Sequence, residues 1–341
     1  MTTPRHILVI GAGSAGKRHA RNLRQLGCAI SAMDPRADRL NEIGQEGLTQ
    51  RVFTSLTSAL QASAHDGFVV ASPPVFHVDQ VLEVMAQQPR WVLCEKPLSI
   101  NAPEARRLEK VADNVLLAYT YRWWPPLHSF RRRLLAGEIG PVRVMRFVMS
   151  AHLADWHPWE RYQDFFMAQS EQGGGALLDE SHFIDLMLWF LGWPEKICAQ
   201  VDKISHLEIN ADDNVDILVS YGSGTRVNIH LDLMGRPHER NITAIGENGT
   251  LSYVYEENAV KVCHEGAAKW ERESFSCERN EMFLGADREF LAQINGASRT
   301  PLTCTVGDGI QALALVDACR QSSASGRSVL LDNALARKSH T

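Results

Sequence analysis

The chain has 341 residues, of which 45% are hydrophobic and 22% charged, and its formal net charge at pH 7 is −5. This length is enough for two domains that each bury a core. The weakly acidic, mixed-sign charge argues against nucleic acid or an anionic membrane as a partner. The basic run Arg131-Arg132-Arg133 is interpreted as the solvated face of an amphipathic helix.

Targeting and redox signals are also lacking. The first predicted strand begins within six residues of Met1, which leaves no room for a signal peptide, and no apolar stretch reaches the length of a membrane span. The seven cysteines are odd in number and dispersed without a C-x-x-C pair, which predicts reduced thiols and no structural metal site. We therefore expect a cytoplasmic protein without a metal.

The start of the chain carries the most specific pattern. A predicted strand, His6–Ile10, runs directly into the G-x-G-x-x-G sequence of residues 11–16, and a helix is predicted over Ala15–Leu26. A second strand, Ala29–Met33, ends at the acidic residue Asp34. A strand, a glycine-rich turn, a helix and a second strand closed by an acid together predict a dinucleotide site.

Each glycine of this turn has its own physical task. Gly11 permits the sharp turn, Gly13 leaves room for a phosphate to touch the backbone, and Gly16 lets the helix press against the sheet. The first helical residues, Ser14 and Ala15, offer backbone N–H groups at the positive end of the helix, where a pyrophosphate binds.

Asp34 also bears on the choice of cofactor. Its carboxylate is placed to accept hydrogen bonds from the adenosine ribose and to repel the extra phosphate of NADP, so NAD is favoured. Arg36 is a candidate partner for such a phosphate, which keeps NADP as the alternative. A second interpretation of Asp34 is an Asx turn before Pro35.

Two patterns of secondary structure divide the chain. Up to about Thr120, short apolar runs alternate with helical patterns, which predicts a doubly wound, Rossmann-type parallel sheet. Its predicted strands are His6–Ile10, Ala29–Met33, Arg51–Phe53, Phe68–Ala71, Trp91–Cys94 and Val115–Ala118. After Trp124-Pro125-Pro126 a helix, Leu127–Ala136, leads into strand-like runs separated by turn residues.

These later runs predict a large, open and mostly antiparallel sheet in an α+β domain. They are Val142–Val148, Lys196–Val201, Asp216–Tyr221, Thr225–Leu233, Glu239–Ile245, Thr250–Tyr255 and Val260–Cys263. Helices on one side of such a sheet leave its other face open, and an apolar open face predicts association of subunits into a dimer or tetramer. The predicted domains are 1–121 for NAD, 122–305 for substrate and oligomerisation, and 306–341 for a C-terminal helix, Gly307–Ser322, and tail.

Three further motifs occur in a fixed order. They are Ala71-Ser72-Pro73-Pro74 with His77, Cys94-Glu95-Lys96-Pro97, and residues 173–185, which read GGGALLDESHFID. With the glycine-rich turn, they resemble the family of glucose–fructose oxidoreductase, inositol 2-dehydrogenase and rhizopine-catabolism proteins, called Gfo/Idh/MocA. The resemblance runs from the first residues to past the middle of the chain, and the set is far more specific than any one motif.

The resemblance implies roles for the motifs at the strand ends. In open parallel sheets ligands bind beyond the carboxyl ends of the strands, where Ser72, Pro73 and Lys96 follow predicted strands. Lys96 corresponds to the family lysine that binds the reacting hydroxyl and the cofactor. Glu95 is expected to orient Lys96 or the ribose, and His77 to belong to the same cofactor-binding edge.

The later motif implies the proton-transfer group. Removing the proton of a hydroxyl during hydride transfer needs a base that titrates near working pH, and His182 is the candidate. Asp179 and His182, three residues apart on one predicted helix, are expected to share a face and contact substrate, with Asp185 as a partner that holds the imidazole. Many family members space this Asp and His by four residues, so the transfer to Asp179 is the weaker one.

Aromatic residues suggest the substrate. Arg122, Trp156 and Tyr162 are candidate substrate contacts, and with His157 and Trp159 they suit a carbohydrate pocket. The alternative interpretation places the aromatic rings in interdomain core.

The resulting hypothesis is an NAD-dependent dehydrogenase of a sugar, polyol or nucleotide sugar. An NAD-using glycoside hydrolase of the same fold and a catalytically inactive sensor of NAD or sugar are the alternatives.

Overall fold

Two units make up this chain. The structure, a computed structural model, describes residues 4–156, 158, 160–296 and 301–335. One unit comprises Met1–Trp123 and Arg279–Ile310, and the other comprises Trp124–Glu278 and Gln311–Thr341. The predicted domain boundaries differ from this division, because they assign most of the segment 279–310 to the second domain.

The first unit is built on a six-stranded parallel sheet in the order β3-β2-β1-β4-β5-β6. Its strands are β1 (His6–Ile10), β2 (Ala29–Met33), β3 (Arg51–Phe53), β4 (Gly67–Val70), β5 (Trp91–Glu95) and β6 (Val115–Ala118). Its first helices are α1 (Ser14–Gln25), α2 (Ala37–Gln45), α3 (Leu56–Ala62), α4 (His77–Gln87) and α5 (Ala102–Ala105). The predicted doubly wound parallel sheet is confirmed.

The strand order explains where this sheet binds a ligand. Strands β1 and β4 are buried along almost their whole length, as expected where a parallel sheet is covered on both faces. The order reverses between these two strands, and a crevice forms at such a reversal, beyond the carboxyl ends of the strands. The glycine-rich turn and the two proline motifs all begin at this edge.

The second unit is built on a nine-stranded sheet in the order β14-β13-β12-β11-β7-β10-β9-β8-β15. Its strands are β7 (Val142–Ser150), β8 (Lys196–Asp202), β9 (Asn214–Ser220), β10 (Arg226–Asp232), β11 (Glu239–Gly246), β12 (Gly249–Val254), β13 (Ala259–His264), β14 (Glu271–Ser274) and β15 (Val329–Leu330). Only β7 and β10 pair in parallel, so the predicted mostly antiparallel sheet is confirmed.

One face of this sheet carries the core of the second unit. The helices of this part are α6 (Pro125–Leu135), α7 (Ala176–Asp179) and α8 (His182–Leu191). Phe147 of β7 meets Phe183 and Phe190 of α8 with ring centroids 6.5 and 6.4 Å apart, and Phe130 of α6 joins them. Alternate strand residues on the other face are exposed, which leaves that face open in a single chain.

A helix late in the chain, α9 (Asn280–Ile294), completes the first unit. Its Ala286 and Phe290 are fully buried in the same apolar cluster as Val9 of β1 and Leu93 of β5. The sequence analysis missed this helix, whose centre holds Gly285. A Cβ there would lie 2.8 Å from the Cβ of Trp123, so glycine is needed for close packing.

The last helix, α10 (Val306–Ser325), agrees with the predicted Gly307–Ser322 to within three residues at each end. Its first five residues belong to the first unit and the remainder to the second. Ser322 and Ser323 accept hydrogen bonds from the backbone N–H groups of Ala199 and Val201 in β8, which ties the helix to the second sheet.

Candidate functional site

Close packing inside the protein requires glycine at two of the three glycine positions of the turn. Gly11 has φ +96°, and a Cβ on it would lie 2.6 Å from the backbone of Ala71 and Ser72. A Cβ on Gly16 would lie 1.8 Å from the carbonyl oxygen of Gly11. Both residues therefore serve the packing of the turn and helix, as the sequence predicts.

Gly13 is different, because apart from its two chain neighbours no described residue has an atom within 4 Å of the position a Cβ would take. Its φ of −70° is one that any residue adopts. Gly13 precedes α1, whose first N–H groups, from Ser14 and Ala15 onward, have no acceptor within the helix. Space above a helix N-terminus at a glycine that packing does not require fits the pyrophosphate of a dinucleotide.

Asp34 is buried and both of its carboxylate oxygens accept backbone hydrogen bonds. Oδ2 accepts from the N–H of Ala12 at 2.8 Å, and Oδ1 accepts from the N–H of Arg36 at 2.9 Å. The second bond forms the Asx turn that the sequence analysis kept as an alternative. The Arg36 side chain is exposed and pairs with Asp38 at 2.5 Å, away from its predicted role as a phosphate partner.

His77 fixes the loop after β4 through contacts of its ring with the backbone. The ring is fully buried, with Nε2 2.7 Å from the carbonyl oxygen of Ser72 and Nδ1 2.8 Å from that of Pro97. Ser72 donates its hydroxyl to Gln80 at 2.6 Å, and Pro73 precedes a short 3₁₀ helix. Burial lowers the pKa of His77. His77 thus joins the two proline motifs through both of its ring nitrogens.

Lys96 follows β5 at the ligand-binding edge of the sheet. Its side chain is half-buried, and the Lys96–Pro97 peptide bond is cis. The backbone N–H of Lys96 donates to Oε2 of Glu95 at 3.1 Å. Burial raises the pKa of Glu95, but His19 and Lys96 outweigh burial and hold that pKa below its usual value. Glu95 therefore orients the backbone at Lys96 as an ionised carboxylate.

His19 is a residue that the sequence analysis did not single out. Its Nε2 lies 2.9 Å from Oε1 of Glu95, and its Nδ1 lies 2.6 Å from Oδ1 of Asp287 in α9. Burial lowers the pKa of His19, but the two carboxylates outweigh burial and raise it to about 10. The one local signal is spacing, since His19 follows Gly16 by three residues on the sheet-facing side of α1.

The acidic motif of the second unit does not lie on one helix, so the prediction that Asp179 and His182 share a helix is wrong. Helix α7 ends at Asp179, and α8 begins at His182. Between them Glu180 has φ −92° and ψ +18°, outside α-helical geometry. His182 and Asp185 keep their one-turn relation within α8, and both Asp179 and Asp185 are buried.

The glycine run before α7 lies close to other parts of the second unit. A Cβ on Gly174 would lie 2.5 Å from the carbonyl oxygens of Phe166 and Met167. Gly175 has φ +105°, and its Cβ would lie 2.3 Å from Oδ1 of Asp212. Packing within the second unit therefore explains these two glycines.

Asp212 is a further residue that the sequence analysis missed. Its Oδ2 accepts from the N–H of Leu177 at 2.8 Å, and its carbonyl accepts from the N–H of Ala176 at 2.9 Å. It therefore caps the first turn of α7, which carries Asp179. No local pattern marks this role, because Asp212 lies 35 residues beyond Leu177.

The candidate substrate contacts fall into two groups. Arg122 is buried and donates to the carbonyl of Thr303 at 3.0 Å and to Asp308 at 3.1 Å, contacts that favour a structural role. The Nε1 of Trp156 is buried without a hydrogen-bond partner among the described residues. Tyr162 accepts from the N–H of Glu208 at 3.2 Å. His157 and Trp159 lie outside the described residues.

Within the described parts of the chain, no three His, Cys, Asp or Glu side chains cluster in a way that holds a metal ion. None of the described helices is both long enough and apolar enough to cross a bilayer.

Two family models match the chain. Residues 5–120 match the model described as an oxidoreductase family with an NAD-binding Rossmann fold, and residues 128–252 match the GFO/IDH/MocA C-terminal domain. Together they cover more than half of the chain. The NAD-binding model spans the turn, Asp34 and Lys96, and the second model spans Asp179 and His182.

Individual proteins share between a quarter and a third of their residues with this chain over the aligned lengths. The rhizopine catabolism protein MocA of Rhizobium meliloti is 30% identical over 54% of this chain. The match spans 56% of that relative's own length. Myo-inositol 2-dehydrogenase of Thermotoga maritima is 25% identical over 96% of this chain and 98% of its own.

Solved structures share the fold. The WlbA dehydrogenase of Bordetella pertussis, in complex with NADH and UDP-GlcNAcA, has a TM-score of 0.79 at 22% identity. The superposition covers 97% of this chain and 99% of that one. At this identity the likeness establishes the common architecture alone.

Proposed function

Because the chain belongs to the Gfo/Idh/MocA family of oxidoreductases and carries its NAD-binding Rossmann domain, we propose that it is an NAD-dependent dehydrogenase of a sugar or polyol. The reaction moves a hydride between the nicotinamide and a ring hydroxyl or ketone. The observation that carries the proposal is the edge of the first sheet, where the open space at Gly13 and the half-buried Lys96 follow strands β1 and β5.

The cofactor supplies the hydride acceptor or donor when bound, and the chain's own residues supply binding and proton transfer. Backbone N–H groups at the start of α1 bind the pyrophosphate beside Gly13. Asp34 binds the adenosine ribose: each of its oxygens already accepts one backbone N–H, and each keeps a further lone pair for a hydroxyl. Its negative charge favours NAD over NADP.

Two residues act on the reacting oxygen. Lys96 donates a hydrogen bond from its Nζ to that oxygen, which stabilises negative charge as the hydroxyl loses its proton. His182 takes the proton at a ring nitrogen and returns it in the reverse reaction. Asp179, held by the Asp212 cap on α7, positions neighbouring hydroxyls.

The substrate class rests on the relatives and on the aromatic segment. Myo-inositol and UDP-GlcNAcA, which appear in the names of two relatives, are polyhydroxylated rings. Trp156, with a buried and unpaired Nε1 among the described residues, and Tyr162 are the proposed contacts for such a ring. Arg122 is left out of this set because its guanidinium is bonded within the first unit.

The test follows the reduced-nicotinamide absorbance with NAD and a panel of sugars, polyols and nucleotide sugars. A steady rise of this absorbance supports the dehydrogenase. Cleavage of a glycoside at constant absorbance supports the hydrolase alternative, and tight NAD binding without any reaction of the panel compounds supports the sensor. Lys96→Ala and His182→Ala are each expected to lower kcat by about 100-fold or more while changing NAD affinity little. Lys110→Ala, at an exposed lysine of the same unit, is the matched control.

We also propose that the chain assembles as a dimer or tetramer through the open face of the second sheet. On this face Leu218 is 59% exposed and pairs in register with Asn228, which pairs with Arg146. Asp216 lies on the same face, so a two-fold axis can set basic and acidic residues against each other around Leu218. Light scattering tests this: Leu218→Glu is expected to shift the mass toward the monomer, and an unchanged mass contradicts it.

A further inference from the structure

A charged cluster is buried inside the first unit, next to the strand end that carries Lys96. The imidazole of His19 lies between the carboxylates of Asp287, at 2.6 Å, and Glu95, at 2.9 Å. The side chains of His19 and Asp287 are fully buried, and that of Glu95 is 10% exposed. Burying charges is costly and does not by itself stabilise a fold, so this cluster calls for an explanation.

Each of the two carboxylates in the cluster is fixed by a further contact. The second oxygen of Asp287 accepts from Nδ2 of Asn22 at 2.8 Å, which holds the carboxylate against the ring of His19. The second oxygen of Glu95 accepts from the backbone N–H of Lys96. A continuous path of hydrogen bonds therefore runs from α9 through α1 to Lys96.

We propose that His19 is a positioning residue for Lys96: it holds the Glu95 carboxylate in place, and Glu95 in turn holds the backbone N–H of Lys96 and attracts its ammonium. This inference rests on the proposed function, because it takes Lys96 as the group that binds the reacting oxygen. It adds a role for two residues, His19 and Asp287, that the proposed function does not use.

The charges around the cluster determine what its loss would do. Glu95 interacts electrostatically with His19 and Lys96, and His77 at the start of α4 interacts electrostatically with both Glu95 and Lys96. Asp287 faces His19 from α9. With a neutral residue in place of His19, two buried carboxylates remain without their shared cation, and one of them is driven to accept a proton near neutral pH. A protonated Glu95 no longer attracts the ammonium of Lys96.

The experiment uses the full-length protein with NAD and the best substrate of the panel. His19→Gln is expected to lower kcat at neutral pH by about 10- to 100-fold and to move the acid limb of kcat to higher pH, with the NAD Kd changed less than about threefold. Adding Asp287→Asn to this variant leaves Glu95 as the sole carboxylate of the cluster, so the acid limb is expected to move back. His65→Gln, which removes another buried histidine of the unit, is the matched control and keeps the wild-type profile.

Several outcomes overturn the inference. A loss of kcat that is equal at every pH, or an acid limb that does not return in the double variant, assigns His19 a purely structural role. If His19→Gln does not fold, ¹⁵N spectra of the wild-type imidazoles decide: both nitrogens of His19 must be protonated at pH 8, and a neutral ring ends the inference. No turnover by the wild type with any compound of the panel removes the proposed function, and turnover retained by Lys96→Ala removes the role of Lys96 on which this inference rests. An inactive Lys96→Ala beside an unshifted His19→Gln profile removes only this inference.

Discussion

The carboxylate of Asp34 accepts the backbone N–H of Ala12 at 2.8 Å, in the middle of the glycine-rich turn. The residue that closes the second strand therefore also shapes the turn that follows the first. The Asx turn and the ribose site, which the sequence presents as alternatives for Asp34, are compatible, because the two backbone donors use only half of the acceptor capacity of the carboxylate.

Asp34→Asn is expected to weaken NAD binding about tenfold and to narrow the preference for NAD over NADP. The amide keeps one acceptor oxygen but loses the negative charge, and its NH₂ group must face one of the two backbone donors. Calorimetric titration with each cofactor measures both effects. Asp113→Asn, at an exposed carboxylate of the same unit, is the control, and an unchanged cofactor ratio in Asp34→Asn contradicts the assignment.

Gly13→Ala is expected to leave the unfolding temperature of the cofactor-free protein unchanged and to raise the NAD Kd at least about tenfold. Apart from the chain neighbours of Gly13, the added methyl meets no atom of the described residues within 4 Å, so we expect its effect to fall on a bound ligand. Gly16→Ala is the contrasting variant, because its methyl meets the carbonyl of Gly11 and must lower the unfolding temperature. Normal NAD affinity in Gly13→Ala excludes a pyrophosphate at this position.

Gly174→Ala and Gly175→Ala are each expected to lower the free energy of unfolding by about 2–3 kcal/mol, whatever ligand is present. The first methyl meets two carbonyl oxygens, and the second meets the Asp212 carboxylate at a positive φ. Denaturant unfolding measures the loss. Gly44→Ala, at an open helical position of α2, is the control and is expected to stabilise by about 0.5–1 kcal/mol.

The stability of the folded protein should fall at alkaline pH as His19 loses its proton. Its pKa is raised from 6.5 to about 10 in the folded protein, so protons bind the folded state more tightly than the unfolded one. Its contribution is complete below pH 6.5 and is lost as pH rises to about 10. The difference in unfolding temperature between the wild type and His19→Gln should shrink over this interval. A constant difference would mean that the ring carries no charge.

Local sequence patterns are sufficient to predict much of the first unit. The six strands, the turn at Gly11 and the placement of Lys96 at a strand end follow from alternating apolar runs and glycine and proline signals. The helix break at Glu180, between Asp179 and His182, does not follow from local spacing. The cap that Asp212 places on the first turn of α7 does not follow either, because it comes from 35 residues further along the chain.

The same limit applies to the buried histidines. His19 meets Asp287 across 268 residues, and His77 meets the carbonyl of Pro97 across 20, so neither environment is visible in a local window. Local sequence therefore predicts that His77 belongs to the cofactor-binding edge, and only the structure shows that its two ring nitrogens lie against the backbone carbonyls of Ser72 and Pro97. Helix α9 is missed in the sequence for the same reason, because the glycine within it, Gly285, is explained only by its packing against Trp123.

Helix α9 also constrains when and how the nucleotide-binding unit is assembled. Its Phe290 and Asp287 come from the last fifth of the sequence, so a ribosome has made most of the polypeptide before that unit can close its core. A fragment ending near Trp123 would expose the apolar side of β5 and leave His19 facing one carboxylate. Chimeras that exchange cofactor preference between relatives should therefore transplant residues 279–310 together with the N-terminal segment.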